Sequence, residues 1–216
     1  STCDTEKLAD ITENQVRETV AGFLGAQAQV APAYSALKHE GQPLYKLARQ
    51  GEMIQKPPRQ IEIHKIGMSG FRLSAEGYPV FDMDVQCSGG TYIRSLAFDI
   101  GQALGCGAHL SALTRTRSSQ FTMNQAVNFE ALKRMAPSDI SDRMIPMSQC
   151  LAFMPLIVAD DAVAKKIRFG QPLRCEDTGP ISKDEIRIID REDNLLAIVQ
   201  ADKSGQTYKY CCVFNA

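Results

Sequence analysis

The sequence predicts an α+β fold, in which a mixed, mainly antiparallel sheet is flanked by helices and followed by a small β-rich C-terminal module. Apolar side chains recur at every second position over residues 60–87 and at helical spacing over residues 11–25 and 91–105. Short runs rich in β-branched and aromatic residues, separated by turn residues, follow between residues 186 and 214. Helices and antiparallel strands that keep to separate stretches of chain are typical of α+β architecture.

The first helix is predicted over residues 11–25. Thr12 is a favourable N-cap, Gln15 is its capping-box partner, and Ile11 and Val16 are spaced for a hydrophobic staple across the cap. Gly25 is predicted to end this helix. Its apolar stripe consists of Val16, Val20, Phe23 and Leu24.

Residues 60–87 are predicted to form antiparallel strands with one buried face. A turn is expected at Ser69-Gly70 and another at Glu76-Gly77, and upstream a short helix is expected from Pro43 to Arg49, ended by Gly51. The predicted inner positions are Ile61, Ile63, Lys65, Phe81, Met83, Val85 and Cys87, and the outer ones are Glu62, His64, Asp82, Asp84 and Gln86.

The most informative single residue is Arg94. The run Ser88-Gly89-Gly90 ends the strand, and Thr91 is predicted to cap a helix that continues to Gly105. Arg94 then falls in the first helical turn, where the macrodipole disfavours a cation by a few tenths to about 1 kcal/mol. An arginine in this position indicates an anionic partner, either a carboxylate or a phosphate. The alternative is an exposed arginine that is tolerated at little cost.

The C-terminal third is predicted to contain a short helix within residues 126–136, capped by Asn128, and a second helix at 161–168. Proline-rich breaks place a domain boundary between them, so that residues 1–147 form one domain and residues 148–216 a small β-rich module. The strands of this module are expected at Ile186–Ile189, Leu195–Gln200 and Tyr208–Phe214.

Composition limits the class of protein. The chain has 216 residues, 44% of them hydrophobic and 23% charged, which is typical of a soluble domain, and no apolar run is long enough to span a bilayer. Seven cysteines without a C-x-x-C pair indicate free thiols in a reducing cytoplasm. Three scattered histidines predict no metal site.

Charge is unevenly distributed, although the net charge is only −1. Residues 34–65 and residues 107–135 each carry a net charge of +3, and together they would attract phosphates if they met on one face. Arg115 and Arg117 are spaced to point the same way in an extended segment. Two aromatic–cationic pairs, Tyr34 with Lys38 and Tyr45 with Arg49, are typical of nucleic-acid surfaces. A solvated surface, a basic strand edge and a half-buried tyrosine are the alternatives.

Two blocks of this sequence resemble the bacterial tRNA pseudouridine synthase B (TruB) family. The first comprises Pro32-Ala33-Tyr34-Ser35-Ala36-Leu37-Lys38, Gly41, Leu44–Gly51 and Arg59. The second runs from Cys87-Ser88-Gly89-Gly90-Thr91-Tyr92-Ile93-Arg94-Ser95-Leu96 through Asp99, Gly101, Leu104-Gly105 and Ala108-His109 to Leu113, Arg115 and Arg117. The resemblance covers residues 11–136 well. Further on, Phe169-Gly170-Gln171-Pro172-Leu173 resembles the start of a PUA-like RNA-binding domain.

The resemblance implies a pseudouridine synthase fold and an enzyme that isomerises uridine 55 in the T-loop of tRNA without cofactor or metal. The base is flipped from its stack, and a catalytic aspartate acts with an arginine that matches Arg94. Tyr92 would pack near the pocket and Leu113 would cover the uracil. His109 would have a structural hydrogen-bonding role or contact RNA. The residues implied in binding the T-stem-loop are Tyr34, Lys38, Arg49, Arg59, His109, Arg115 and Arg117.

The chain departs from the family pattern in three respects. The G-x-L-D-P-L-A-x-G motif that carries the family's aspartate does not occur, and neither does an upstream pocket tyrosine. Ser88-Gly89 stands in place of the usual Ser-Lys, and Thr2-Cys3-Asp4 resembles the end of a family segment that follows both missing elements. We therefore expect an incomplete synthase fold that is inactive alone and requires a missing N-terminal segment of the same enzyme as a partner.

Two other functions are alternatives to this one. The first is a non-catalytic RNA-binding protein or tRNA chaperone built on the same scaffold. The second is an unrelated structural or protein-interaction domain. An upstream sequence with the aspartate motif would favour the enzyme over the chaperone, and salt-sensitive binding to tRNA would exclude the interaction domain.

Overall fold

The computed structural model describes residue 8 and residues 10–178, 185–202 and 205–214, without the side chain of Cys175. The stretch Thr2-Cys3-Asp4 lies outside these residues. The chain divides into two compact units, Ser1–Thr114 and Arg115–Ala216, which are described separately below. The α+β class and the mainly antiparallel sheets with flanking helices are confirmed.

Helix α1 (Glu13–Ala21) begins as predicted. Thr12 is its N-cap, and the reciprocal capping box with Gln15 is formed. The predicted end was wrong, because the helix stops three residues before Leu24, and Gly25 instead opens strand β1 (Gly25–Gln29) with a φ of +98°. A positive φ that glycine adopts without strain starts the strand here instead of ending the helix. Leu24 is consequently 60% exposed, outside the predicted stripe.

A long hairpin forms the sheet of the first unit. Strand β4 (Arg59–Leu73) pairs with β5 (Pro79–Cys87) and, on its other side, with β1, so the order is β1-β4-β5 and both pairings are antiparallel. The numbers follow chain order and include a small hairpin of β2 (Lys38–His39) and β3 (Gln42–Pro43). The short helix α2 (Leu44–Arg49) follows β3, as predicted.

The hairpin corrects two predicted features. Ser69-Gly70 is not a turn but lies within β4 at a register irregularity, where Gly70 has a φ of +61°. The actual turn is at 74–78, where Gly77 donates a backbone hydrogen bond to Ser74, as expected for Glu76-Gly77. Lys65 is exposed, because a second irregularity between Ile63 and Lys65 moves the following residues to the other face.

Helix α3 (Ile93–Ala103) packs on one face of this sheet with α1. Leu96 and Ile100 are buried against Val16, Val20, Ile61, Ile63 and Met68, which form the core of the unit. The N-cap is Tyr92, not the predicted Thr91, whose hydroxyl donates instead to the carbonyl of Ser88 at 2.9 Å. The Thr91 side chain therefore stabilises the glycine turn, and the helix has no side-chain cap.

The second unit begins with a two-stranded ribbon, β6 (Arg117–Ser118) and β7 (Phe121–Thr122), followed by a 3₁₀ turn at Met123–Gln125. Asn128 caps α4 (Phe129–Leu132) as predicted, although this helix has only four residues. Two further short helices follow, α5 (Pro137–Ser141) and α6 (Met147–Cys150).

A five-stranded sheet completes the second unit. Its strands are β8 (Leu156–Val158), β9 (Leu173–Arg174), β10 (Ile186–Ile189), β11 (Leu195–Ala201) and β12 (Thr207–Val213), in the order β8-β10-β11-β12-β9. Only the β8–β10 pairing is parallel among the described strands, so the sheet is mixed. The predicted helix is α7 (Asp161–Arg168), and its buried residues Val163 and Ile167 join the core beneath the sheet. A short 3₁₀ turn at Cys175–Asp177 follows β9.

The three β-runs predicted for the C-terminal module are confirmed as β10, β11 and β12. The division between the compact units falls at 114/115, whereas the sequence placed a domain boundary at 147/148, and the extent of the module stays a prediction. Within the described part of the chain, no helix has both the length and the apolarity that a bilayer crossing requires.

Candidate active site

The candidate site is built around the start of α3. The backbone leaves β5 at Cys87, turns through Gly89 and Gly90, and enters the helix after Tyr92. The hydroxyl of Ser88 accepts a hydrogen bond from the backbone N–H of Glu62 on the neighbouring strand at 2.9 Å, which fixes the start of the turn. The turn presents Arg94 in the first helical turn, as predicted.

Arg94 is exposed and is held by a neutral acceptor. Its Nη2 donates a hydrogen bond of 2.8 Å to the backbone carbonyl of Tyr34, which lies 60 residues earlier. Among the described residues, no carboxylate forms an ion pair with this guanidinium. The predicted anionic partner is therefore not found in this part of the chain. Most of the N–H donors of Arg94 remain free for a further group.

Three further hydrogen bonds join the same segments, and none of them was predicted from the sequence. The buried side chain of Gln29, at the end of β1, accepts from the backbone N–H of Tyr92 at 2.8 Å and donates to its carbonyl at 3.1 Å. Ser95 donates to the carbonyl of Val30 at 2.9 Å. Residues 29–34 are thus attached to the start of α3 at three successive points. A polar residue at a buried strand position must form hydrogen bonds, and this was the one feature of the sequence that could have indicated a role for Gln29.

Arg59 lies beside this junction. Its guanidinium carbon is 4.8 Å from the centroid of the Tyr92 ring, within the range of a cation–π contact. Gly90, which has a φ of +83°, also lies close to Arg59, because a Cβ there would be only 3.0 Å from Nη1 of Arg59. Nε and Nη2 of Arg59 are buried and have no partner among the described residues. The structure therefore brings Arg59 to Tyr92, while its predicted contact with RNA stays a prediction.

Other predicted residues of the first unit lie at its surface. Tyr34 is 48% and Leu113 is 63% exposed, and both are available to a ligand. The guanidinium carbon of Arg49 is 5.7 Å from the centroid of the Tyr45 ring, which confirms that predicted pair. Lys38 is exposed. It forms no cation–π contact with Tyr34, which is also a described residue.

The ring of His109 is exposed and forms no hydrogen bond with a described residue, so a structural hydrogen-bonding role gains no support. Nδ1 of His39, a residue for which the sequence predicted no role, lies 3.2 Å from Nζ of Lys56. In the second unit Arg115 and Arg117 are both exposed, and Nε of Arg117 donates to the carbonyl of Ser119 at 2.7 Å. One carboxyl group of α3 is electrostatically unusual, because burial raises the pKa of Asp99.

Two family models match this chain, side by side. Residues 1–93 match the model described as TruB family pseudouridylate synthase (N terminal domain), and residues 94–152 match that of the tRNA pseudouridylate synthase B C-terminal domain. The chain belongs to the TruB family. The border between the two TruB models runs through the start of α3 and is not a boundary of the fold, since α3 lies within the first compact unit.

Named TruB relatives agree with this. The tRNA pseudouridine synthase B of Thermotoga petrophila is 38% identical over 205 residues, which are 93% of this chain and 63% of the relative. That of Nitrosococcus oceani is 40% identical over 174 residues, 79% of this chain and 55% of the relative. The chain therefore spans less than two thirds of the length of these TruB relatives.

The fold is also shared with a solved structure. A chain in the crystal structure of a Cbf5–Nop10–Gar1 complex superimposes with a TM-score of 0.68 and 25% identity, over 95% of this chain and 63% of that one. This similarity supports the TruB assignment at the level of the fold.

Proposed function

We propose that this chain is part of a tRNA pseudouridine synthase that isomerises uridine 55 in the T-loop of tRNA. The observation that carries the proposal is Arg94, a cation in the first turn of α3 that is held by one backbone carbonyl and is otherwise uncompensated among the described residues. Because the helix dipole opposes a cation there, the presence of Arg94 is best explained by a negatively charged group that binds it during function.

The negatively charged group is an aspartate supplied by a polypeptide segment outside residues 1–216. Arg94 has a planar guanidinium suited to two parallel hydrogen bonds with a carboxylate, and the bond to Tyr34 uses only one of its five N–H donors. The pair would orient the aspartate toward the ribose of the target nucleotide. The aspartate then acts covalently or as a base while the C–N glycosidic bond breaks and the C–C bond forms. No cofactor or metal enters this proposal.

Tyr92 and Leu113 complete the proposed pocket. Flipping the target base out of its stack costs a few kcal/mol, which contacts within the pocket must recover. The ring of Tyr92, steadied by Arg59, would line the pocket, and the exposed side chain of Leu113 would cover one face of the uracil. An apolar contact of this kind is tolerant of rotation, and the uracil must turn before it is rejoined through carbon.

Binding of the T-stem-loop is assigned to basic and aromatic residues, all of them exposed except Arg59, which is partly buried. Arginine and lysine contacts to phosphates fix the register of an RNA on a protein without reading its sequence. In the first unit these residues are Tyr34, Lys38, Arg49, Arg59 and His109, and in the second unit they are Arg115 and Arg117. We further propose that residues 148–216 form a PUA-like RNA-binding module and that the protein acts in the cytoplasm.

The test combines this chain with the N-terminal segment of its own enzyme, in cis or in trans, and measures pseudouridine formation on a T-stem-loop RNA. We expect Arg94→Ala to lower turnover by about a hundredfold or more and to leave RNA affinity nearly unchanged, since misplacing a catalytic group has this size of effect. Arg94→Lys should also fail, because lysine keeps the charge but loses the fork.

Arg115→Ala should do the opposite and chiefly weaken binding. Arg143→Ala is the matched control, because this exposed arginine of the second unit lies outside the proposed RNA contacts and outside the proposed PUA-like module. Full turnover in Arg94→Ala would refute the role of that residue. A combined protein that binds the RNA tightly but forms no pseudouridine would favour the non-catalytic tRNA chaperone.

A further inference from the structure

Gln29 is buried in a position where an apolar residue would ordinarily pack. It is the last residue of β1 and is only 2% exposed. Burying an amide is unfavourable unless both its donor and its acceptor are satisfied. Both are satisfied by a single residue, because the N–H and the carbonyl of Tyr92 bind the two ends of the Gln29 amide. The side chain thus pairs with Tyr92 as a neighbouring strand would.

We infer that Gln29 is a positioning residue for the pseudouridine synthase reaction, which sets the geometry of Tyr92 and Arg94 without touching the RNA. This inference rests on the proposed function and adds to it a residue that acts at the junction between β1 and α3. Three hydrogen bonds between residues 29–34 and the start of α3 support this role. Gln29 binds Tyr92, Val30 binds Ser95, and Tyr34 binds Arg94.

The cross-links tie the guanidinium and its acceptor to the same junction. The carbonyl of Tyr34 lies five residues after Gln29, and Arg94 lies two residues after Tyr92. A shift at Gln29 therefore moves the acceptor and the donor of the Arg94 hydrogen bond relative to each other. The hydrogen bond between Arg94 and Tyr34 is exposed and open to competition by water, whereas the two bonds between Gln29 and Tyr92 are partly buried and Gln29 itself is only 2% exposed. The Gln29 bonds are consequently the ones that hold the geometry.

Glutamine suits this position for a specific chemical reason. The site requires one donor and one acceptor at the end of a side chain of this length, and only an amide supplies both without a charge. Methionine has nearly the same length and volume but offers neither. Gln29→Met therefore removes the two hydrogen bonds with little change in packing.

The chain contains a matched control on the same strand. Gln27 is partly buried and its Nε2 donates to the carbonyl of Phe23 at 2.8 Å, so Gln27→Met also deletes a side-chain hydrogen bond to the backbone. That bond lies within residues 23–27 and does not reach α3. Any general effect of removing a strand glutamine should be the same in both variants.

The experiment measures turnover and RNA affinity in the chain combined with its N-terminal segment. We expect Gln29→Met to lower kcat about tenfold to a hundredfold and to leave the Kd for the T-stem-loop within about twofold, and Gln27→Met to change neither. A merely destabilising change would lower both the active fraction and the binding fraction together. Equal kcat in Gln29→Met and the unsubstituted protein would overturn the inference, whereas an unsubstituted protein without turnover would refute the proposed function itself.

A second measurement needs no variant, in case Gln29→Met does not fold. Tyr92 is the N-cap of α3, so its amide has no helical hydrogen bond, and Gln29 is the acceptor that it finds among the described residues. Hydrogen exchange on the unsubstituted chain should show the Tyr92 amide exchanging at least about tenfold more slowly than that of Arg94, which the first turn leaves open. Similar exchange rates at the two amides would overturn the inference.

Discussion

Gly101 lies where a single added atom, a Cβ, would affect the stability of the first unit. It lies in α3 and its carbonyl accepts a hydrogen bond from the N–H of Gly107 at 2.9 Å. A Cβ at this position would overlap the backbone nitrogen of Ala108 and the carbonyl carbon of Gly107. Backbone atoms cannot move aside as the end of a flexible side chain can.

We therefore expect Gly101→Ala to lower the free energy of unfolding, although alanine has the better helix propensity. Overpacking of this kind costs about 1–3 kcal/mol, which outweighs the gain of roughly 1 kcal/mol in propensity. Urea unfolding followed by circular dichroism would measure the difference. Gly67→Ala is the control, since no atom lies within 4 Å of its Cβ position. A Gly101→Ala protein as stable as the unsubstituted chain would contradict this packing.

At single residues, local rules predicted positions better than partners. The placement of Arg94 in a first helical turn followed from the glycines before it and the apolar spacing after it. Its acceptor, the carbonyl of Tyr34, could not be predicted, because backbone carbonyls have no sequence signature and this one is 60 residues distant. Gln29 was missed for the same reason, since only the folded chain brings Tyr92 to it.

For whole elements, two of the three predicted N-caps were right, whereas the roles predicted for Gly25 and Gly70 were wrong. The Thr12 and Asn128 caps depend on bonds between near neighbours, so the sequence is sufficient to identify them. Gly25 and Gly70 both adopt positive φ, but one begins a strand and the other lies within one. Glycine permits such a conformation without specifying which element contains it, and strand pairing decides the outcome.

The link between α7 and the turn after β9 should make the second unit sensitive to acid. Asp177 accepts a hydrogen bond of 2.7 Å from Lys166 and another from the backbone of Arg174. The bond from Lys166 is the main cause that lowers the pKa of Asp177. A carboxyl with a lowered folded-state pKa stabilises the fold above its unfolded pKa of about 3.9, and this contribution is lost as the pH falls through the folded value.

We expect Asp177→Asn to lower stability at neutral pH and to flatten its decline below about pH 4, where the native carboxylate would be protonated. The effect is limited to about 1 kcal/mol or less, because Lys166 is partly exposed to solvent. Urea midpoints between neutral and acidic pH provide the measurement. Glu176→Gln removes the same charge at the adjacent exposed residue and serves as control. Identical pH profiles for Asp177→Asn and the unsubstituted chain would refute the contribution of this pair.

Across the whole molecule, the distribution of charge is more informative than its sum. A net charge of −1 would argue against RNA binding, yet two segments each carry +3 and contain the residues proposed to contact phosphates. These segments could be identified from the sequence. The division between the two compact units at 114/115 could not, since it coincides with no change in composition. It falls between Leu113 and Arg115, within one family motif.

Salt should therefore weaken RNA binding in proportion to the number of phosphate contacts. The slope of log affinity on log salt concentration should become shallower by about 0.7–0.9 for each contact removed. We expect the Arg115→Ala, Arg117→Ala double variant to lose roughly two such increments in a salt titration of T-stem-loop binding. The Arg143→Ala slope should equal that of the unsubstituted chain. An unchanged slope in the double variant would remove these arginines from the interface.

The neutral hydrogen bond of Arg94 to a carbonyl has a practical consequence for the laboratory. A guanidinium with its full charge exposed attracts any small multivalent anion in the buffer, and phosphate or sulfate would occupy the position that we propose for the aspartate. Assays in phosphate would then measure a competition, and affinities obtained in different buffers would disagree for a reason unrelated to the RNA.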